Sequence, residues 1–295
     1  MKTLVYFASG PIRDEYQELD FDRIYLVDNC FKRGYRGNHC FSEGKITCVG
    51  MDCLESVQYL KDNGVKIDCF VSLNEGLWEG GGSYAINSDM FLGYAMPLFR
   101  DEYIHIMNKD YYRNWYYKVS MDLPFAMTEI SNNDSRYIDP LIFTEYKEQN
   151  KQAQVFQMRR LNTPNIELVL NPNINVQIIH DSIWNYYEEL DACIISFSNQ
   201  GQGKFFNRLP RVLNYKNYTL SDIFDYCDKN QISKIGFTPF GGGNYSLLIH
   251  LIKGYKRDYP KEVFLFHLNK NDYKELKNYA SNRVNIDIPE DSKKK

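Results

Sequence analysis

The sequence predicts an α/β protein built as two doubly wound units in tandem, the halves of an internal duplication. First, short apolar runs alternate with segments of helical spacing along the whole chain, a pattern that places parallel strands under helices on both faces of a sheet. Second, GGGSY at 80–84 recurs as GGGNY at 241–245, 161 positions further on (241 − 80). Third, that offset holds without a gap from residue 80 to residue 112. Gly93-Tyr94 falls on Gly254-Tyr255, Asn108-Lys109 on Asn269-Lys270 and Tyr112 on Tyr273, and apolar pairs such as Phe91 with Ile252 and Ile104 with Leu265 coincide.

In the first half, TLVYFAS is an apolar run ending at Gly10, and RDEYQELD has the make-up of a short helix. FDRIYLVD and KITCVG read as buried strands, MDCLESVQYLKDNG has helical spacing, and VKIDCFVSL is a fourth strand. Beyond the glycines, SDMFLGYAMPLF is helical up to Pro97, and EYIHIM is the fifth strand. The second half repeats these types in order: NVQIIHD, SIWNYYEEL, DACIISFS, PRVLNY, TLSDIFDYCDKN, SKIGFTPF, the glycines, YSLLIHLIKGYKRDY and VFLFHLN. Thr219 to Asp222 marks a helix start, with Thr219 or Ser221 as the cap. The turn-forming stretch Leu161-Asn162-Thr163-Pro164-Asn165 sets the boundary, giving domains 1–162 and 163–295. Residues 113–162 have no counterpart in the second half. Their segments KVSMDLPFAM, DPLIFTEY and AQVFQMRR are expected as antiparallel strands at the edge of the first sheet.

Composition narrows the classes of partner. With 35 Lys and Arg against 38 Asp and Glu, the net charge of −3 supplies no overall positive field toward nucleic acid or anionic lipid. No run approaches the roughly 18 apolar residues of a membrane span, and MKTLVYFASG enters a strand without the h-region of a signal peptide. The seven cysteines, an odd number without a CxxC pair, fit reduced thiols, so a cytoplasmic protein is expected. Cys30, His39 and Cys40 match no standard zinc spacing, and no metal site is expected.

Ligands of open α/β sheets bind at the carboxyl ends of the strands, where the strand order reverses. The candidates are therefore the residues directly after the apolar runs of the first half: Ala8, Ser9 and Gly10; Asp28; Asp52; and Asn74 with Glu75. Gly10 admits a ligand close to the backbone. Asp28 ends the second strand, where its carboxylate can accept both hydroxyl hydrogens of a ribose or serve as a turn or cap residue. Asp52 can accept from an adenine amino group or from a backbone amide. His105 and His267 lie inside fifth-strand runs and read as core histidines.

LVYFASGPI, IYLVDN, VGMDC and IDCFVSLNEG resemble the first four motifs of class I S-adenosylmethionine-dependent methyltransferases, over roughly residues 3 to 76. The resemblance implies a Rossmann-like unit with S-adenosylmethionine as cofactor. Ala8 to Gly10 would face its methionine part, Asp28 its ribose and Asp52 its adenine. Asn74 and Glu75 would face a methyl acceptor, Asn74 or Glu75 positioning it and Glu75 able to act as a base. The first motif carries one glycine where that family carries more, and the loop lacks the Asn-Pro-Pro-aromatic signature of amino-group methylation. These departures leave a carbon, oxygen or small-molecule acceptor, or a derived protein that only binds the adenosine cofactor.

The second unit keeps the order of elements without those residues. Its LDACIISFSNQGQG and KIGFTPFGGGNYS resemble the two ligand loops of macro domains. That resemblance implies an ADP-ribose-like ligand held by Gly241, Gly242, Gly243 and Asn244, in a non-catalytic nucleotide-binding or scaffold protein. Both glycine triplets also have an architectural reading, as tight strand-to-helix turns.

Overall fold

The structure, a computed structural model, describes residues 1–32, 39–72, 88–108, 123–130, 153–197, 203–238, 244–268 and 273. Among these the backbone forms two sheets, of eight and six strands, with short helices between them: a mixed α/β protein.

The first sheet contains β1 (Thr3–Phe7), β2 (Arg23–Val27), β3 (His39–Glu43), β4 (Ile46–Gly50), β5 (Ile67–Ser72), β6 (Phe99–Asn108), β7 (Phe125–Ile130) and β8 (Ala153–Arg160). Their spatial order is β3-β4-β2-β1-β5-β6-β8-β7. The run from β4 through β2, β1 and β5 to β6 is parallel throughout. β3 is antiparallel to β4, and at the other edge β8 is antiparallel to β6 and β7 to β8. β8 is the AQVFQMRR segment and β7 begins inside KVSMDLPFAM; DPLIFTEY lies outside the described residues.

All of β1 is buried because both faces of the sheet are covered. Leu4, Tyr6, Leu26, Cys69 and Val71 pack on one side with Tyr16 of the short helix Asp14–Glu18 and Leu19 directly after it. Val5, Phe7, Val49 and Phe70 pack on the other, beneath α1 (Cys53–Asp62) and α2 (Ser88–Ala95). α1 offers Leu54, Val57 and Leu60 to that core, one stripe at helical spacing. Pro97 falls in the turn Met96–Leu98 directly after α2, where the helical pattern was expected to stop.

The second sheet contains β9 (Ile166–Asn171), β10 (Ile174–Ile179), β11 (Ala192–Ile195), β12 (Val212–Asn214), β13 (Lys234–Phe237) and β14 (Glu262–Phe266), in the order β12-β11-β13-β14-β10-β9. All neighbours are parallel except β9, which is antiparallel to β10. Among the described residues three helices accompany these strands: α3 (Gly203–Phe206), α4 (Leu220–Lys229) and α5 (Asn244–Gly254). Leu220, Ile223, Phe224 and Cys227 of α4 and Leu248 and Ile252 of α5 cover one face. α4 starts at Thr219, whose hydroxyl accepts from the Asp222 amide at 3.1 Å while Asp222 Oδ2 accepts from the Thr219 amide at 2.9 Å, a reciprocal capping box. SIWNYYEEL forms no α-helix: a single 3-10 turn, Ile183–Asn185, is followed by a turn in which the Glu189 and Leu190 amides donate to the Tyr186 carbonyl.

The order of element types repeats between the halves, but the strand order does not. In the first sheet the opening strand β1 lies between β2 and β5; in the second the corresponding strand, β10, lies beyond β14. Sequence spacing records which elements follow one another and is silent on the edge to which a crossover delivers the next strand. The 161-residue alignment survives locally, since Phe91 with Ile252 and Ile104 with Leu265 are buried pairs. Its glycines do different work. A Cβ on Gly93 would come within 3.2 Å of Leu268 Cδ1, whereas one on Gly254 would meet nothing within 4 Å.

Gly93 lies where the two sheets meet. Ser182 Oγ donates to the Gly93 carbonyl at 2.6 Å, and the Tyr94 ring meets the edge of Trp184 at 4.8 Å between centroids. Trp184 stacks on Phe206 of α3 at 5.5 Å. One hydrophobic cluster therefore runs from β1 and α2 to Ile179, Cys193, Ile195 and Phe266 of the second sheet. At its rim Arg160 Nη1 at the end of β8 pairs with Asp181 Oδ1 at 3.2 Å, tying the last strand of one sheet to the segment after β10.

Candidate functional site

The carboxyl ends of β1, β2 and β4 bring together three of the segments singled out from the sequence. After β1 the chain turns through two left-handed residues, Ala8 at φ 55° and Gly10 at φ 70°. The Ala8 amide donates to the Val27 carbonyl at 2.7 Å, which holds the turn against the end of β2. A Cβ on Gly10 would meet nothing within 4 Å, so glycine is needed there for its backbone angle, and the space beside it is open. Ser9 is buried, its hydroxyl donating to the Gly10 carbonyl at 3.1 Å.

Asp28 is the hub. Its Oδ2 accepts from the Gly10 amide at 2.9 Å and its Oδ1 from the Cys30 amide at 2.8 Å, capping the turn Asn29–Phe31. Asp28 is thus the cap of this turn, and its second oxygen ties the glycine turn to the end of β2. The Cys30 thiol also hydrogen-bonds this carboxylate, so three donors of its own chain converge on Asp28.

Asp52 is placed beside this hub and engaged differently. It is the residue before α1, and its carbonyl accepts from the Ser56 amide at 2.8 Å, but its side chain does not cap the helix. Instead Asp52 Oδ1 takes Lys32 Nζ at 2.6 Å, with the Asp52 side chain 65% exposed and that of Lys32 27%. Lys32 was not among the sequence candidates. It lies in a turn whose closeness to α1 depends on Gly50, an arrangement that no spacing in the sequence signals. A Cβ on Gly50 would stand 2.6 Å from the Phe31 carbonyl carbon and 2.7 Å from the Lys32 nitrogen, both backbone atoms.

Two thiols adjoin the site, Cys30 exposed and Cys53 half-buried. Burial, then the Asp28 carboxylate, pushes the Cys30 thiol up to about 12, and burial, then Asp52, does the same to Cys53. Among the described residues no group of three or more His, Cys, Asp and Glu is arranged to hold a metal ion.

In the first sheet the chain winds from β1 toward β4 on one side and from β5 to β6 on the other, so the switch in strand order falls between β1 and β5. Asn74 and Glu75, expected just after β5, lie outside the described residues. The last residue of β5, Ser72, bonds His105 Nε2 of β6 at 3.1 Å. Burial holds His105 down at about 3, so it stays neutral at ordinary pH and belongs to the core.

The second sheet has its own switch, between β11 and β13. The Thr238 amide donates to the Ile194 carbonyl at 3.0 Å, closing these two strand ends on each other. Gly241, Gly242 and Gly243 lie outside the described residues, and Asn244 opens α5. His180 bonds the Leu268 carbonyl through Nε2 at 3.2 Å and stacks on Tyr273, while burial and then His180 hold His267 down at about 3. Asp181 accepts from the Ser182 amide and from Asn185 Nδ2, each at 2.7 Å, in addition to pairing with Arg160. These contacts make the His180-Asp181 pair a structural element.

No protein-family model matches the chain, and no curated protein matches it in sequence. Among solved structures, one described as a candidate SAM-dependent methyltransferase from Streptococcus mutans aligns with a TM-score of 0.26 and 9% identity, over 53% of this chain and 44% of that one. The crystal structure of M1.HpyAVI aligns with a TM-score of 0.19 and 10% identity, over 80% of this chain and 97% of that one. The chain thus spans less than half the length of the first. At these scores neither likeness assigns a role to any residue here. None of the described helices is long and apolar enough to cross a membrane.

Proposed function

We propose that the chain is an S-adenosylmethionine-dependent methyltransferase, or a derivative that retains the adenosine-cofactor pocket, with the pocket at the carboxyl ends of β1, β2 and β4. One observation carries this reading. The first sheet has five parallel strands followed by the reversed strand β8 inserted between β6 and β7, and Asp28, at the end of its second strand, is hydrogen-bonded to the glycine turn after the first. This link between the ends of the first two strands falls on the motifs whose resemblance to class I methyltransferases implies the cofactor site, and β3 at the other edge is an additional antiparallel strand. The residues fit the group. The face of Gly10 is open, Asp28 can take the two ribose hydroxyls when the exposed Cys30 thiol gives up its bond to the carboxylate, and Asp52 can receive an amino group on the adenine side when Lys32 shares it.

S-adenosylmethionine, when bound, supplies an electrophilic methyl group. The protein's part is to hold cofactor and acceptor in line and exclude water, so orientation supplies most of the acceleration. Asn74 and Glu75 belong to this proposal as the residues that position a small-molecule or other acceptor, Glu75 also as a base. The proposal takes 1–162 as the catalytic domain and 163–295 as a second α/β domain, divided where the chain leaves β8 at Arg160 and enters β9 at Ile166.

A specific observation favours a second reading for that second domain. In sequence, Gly201 follows β11 and precedes α3, and Gly241 to Gly243 follow β13 and precede α5, β11 and β13 being the adjacent strands at the switch in strand order. This supports an ADP-ribose-like ligand there, in a protein that binds nucleotides without catalysis.

Thermal denaturation with S-adenosylmethionine, its demethylated product, ADP-ribose and NAD separates the two readings. A ligand at about 100 times its dissociation constant stabilises by about 2.7 kcal/mol, a rise in Tm of roughly 5 to 10 °C. The adenosyl pair is expected to give that rise. A response to ADP-ribose alone would replace the first reading with the second, and a silent panel at millimolar ligand would leave a scaffold protein without a nucleotide ligand.

A further inference from the structure

Asp52 stands where a helix cap belongs and does not act as one. It is the last extended residue before α1, yet its carboxylate takes none of the first-turn amides. It turns to Lys32 instead, Oδ1 meeting Nζ at 2.6 Å. Ion pairs between two exposed side chains are usually loose. This one is held from the lysine side: Lys32 is the more buried partner, and its backbone nitrogen lies so close to Gly50 that a Cβ there would stand 2.7 Å away.

The pair sits at the same strand ends as Asp28. β2 and β4 run side by side with Val27 opposite Val49, and the Asp28 amide donates to the Val49 carbonyl at 3.2 Å. Asp28 opens the turn Asn29–Phe31 and Lys32 closes it, while Asp52 follows β4. The charges of Asp28, Lys32 and Asp52 all act on the Cys53 thiol at the start of α1, so they surround one point. Among the described residues, Asp52 Oδ2 and the other hydrogens of the Lys32 ammonium have no hydrogen-bond partner. An oxygen that only accepts thus stands beside a nitrogen that only donates.

That order complements one edge of adenine, where the 6-amino group donates and ring N1 accepts. Resting on the reading of this pocket as an adenosine site, we propose that Lys32 is a specificity-determining residue for the base: its ammonium, held by Asp52 Oδ1, donates to N1 while Asp52 Oδ2 accepts from the 6-amino group. The hydrogen bonds close a ring, amino group to carboxylate, ammonium to carboxylate and ammonium to N1. The ion pair survives ligand entry, so binding breaks no charge contact. A 6-oxo purine is mismatched at both positions, with an acceptor against Asp52 and an N–H against Lys32.

Removing N1 alone tests the assignment. The full chain, as wild type and as Lys32→Met, is titrated calorimetrically with S-adenosylhomocysteine and with its 1-deaza analogue, in which N1 is a C–H group. On wild type the analogue is expected to bind about 10- to 100-fold more weakly, the loss of one hydrogen bond to a charged group. On Lys32→Met the two ligands are expected to bind within about threefold of each other, because the donor is gone. The variant loses one exposed ion pair and is expected to fold. A lysine that only braces the turn would weaken both ligands alike and leave the full 1-deaza penalty on the variant, which would overturn the assignment. If wild type binds both ligands equally, the Lys32 role falls and the adenosine pocket stands. If folded wild type binds neither, the pocket falls and the Lys32 role with it.

Discussion

Asp28→Ala is expected to lower affinity for S-adenosylmethionine about 100-fold, in a protein that still folds. Two hydrogen bonds from ribose hydroxyls to a carboxylate are worth about 3 kcal/mol together, and every 1.4 kcal/mol is a factor of about ten. The same substitution removes the acceptor of the Gly10 and Cys30 amides, both at the protein surface or partly buried, where water can replace it. The stability loss should therefore stay within about 1 to 3 kcal/mol. Calorimetric titration at a temperature where the variant is fully folded separates the two effects. If the folded variant binds as wild type does, Asp28 is only a cap and the cofactor assignment fails.

Gly50→Ala should be the most damaging single methyl group in the first sheet. Its Cβ would stand 2.6 Å from the Phe31 carbonyl carbon, 2.7 Å from the Lys32 nitrogen and 2.8 Å from the Phe31 oxygen. All three are backbone atoms, so no side chain can rotate away, and the turn Asn29–Phe31 must move as a body. That turn carries the Cys30 amide bound to Asp28 and leads into Lys32, the partner of Asp52. A loss of about 3 kcal/mol is expected in denaturant unfolding, with weaker cofactor binding in whatever remains folded. A change below about 0.5 kcal/mol would mean that the turn and β4 are not in contact as described.

What was legible in the sequence follows from what periodicity encodes. β1, β2, β4 and β5 are apolar runs because both faces of their sheet are covered, and such runs announce themselves. β3 did not, since HCFSE is half exposed at the edge of the sheet, and only the Gly44-Lys45 turn before β4 hints at a hairpin. β9 was missed for a similar reason: it is an edge strand with Val169 pointing outward, 96% exposed. The Asn171-Pro172-Asn173 turn that joins it to β10 was the available signal. There Asn171 Oδ1 accepts from the Asn173 amide, and Asn171 Nδ2 donates to the Ile252 and Tyr255 carbonyls, each at 2.8 Å, pinning the hairpin to the end of α5.

The site was legible as strand ends, because Gly10, Asp28 and Asp52 directly follow apolar runs. Its wiring was not. Whether Asp52 caps α1 or pairs with Lys32 depends on the direction in which the turn after β2 leaves the sheet, and Gly50 sets that direction through a backbone contact. The glycine triplets that first suggested a repeated unit stand after β5 and β13, strands that each border a switch point, although the sheets around them are ordered differently.

The most direct test of the cofactor site is a structure of the protein with S-adenosylmethionine or its demethylated product bound. The result expected is an adenosine across the ends of β1, β2 and β4, with the ribose hydroxyls on the Asp28 carboxylate and the Gly10 turn beside it. A ligand seated instead at the ends of β11 and β13, or bound at the first sheet without touching Asp28, would contradict it.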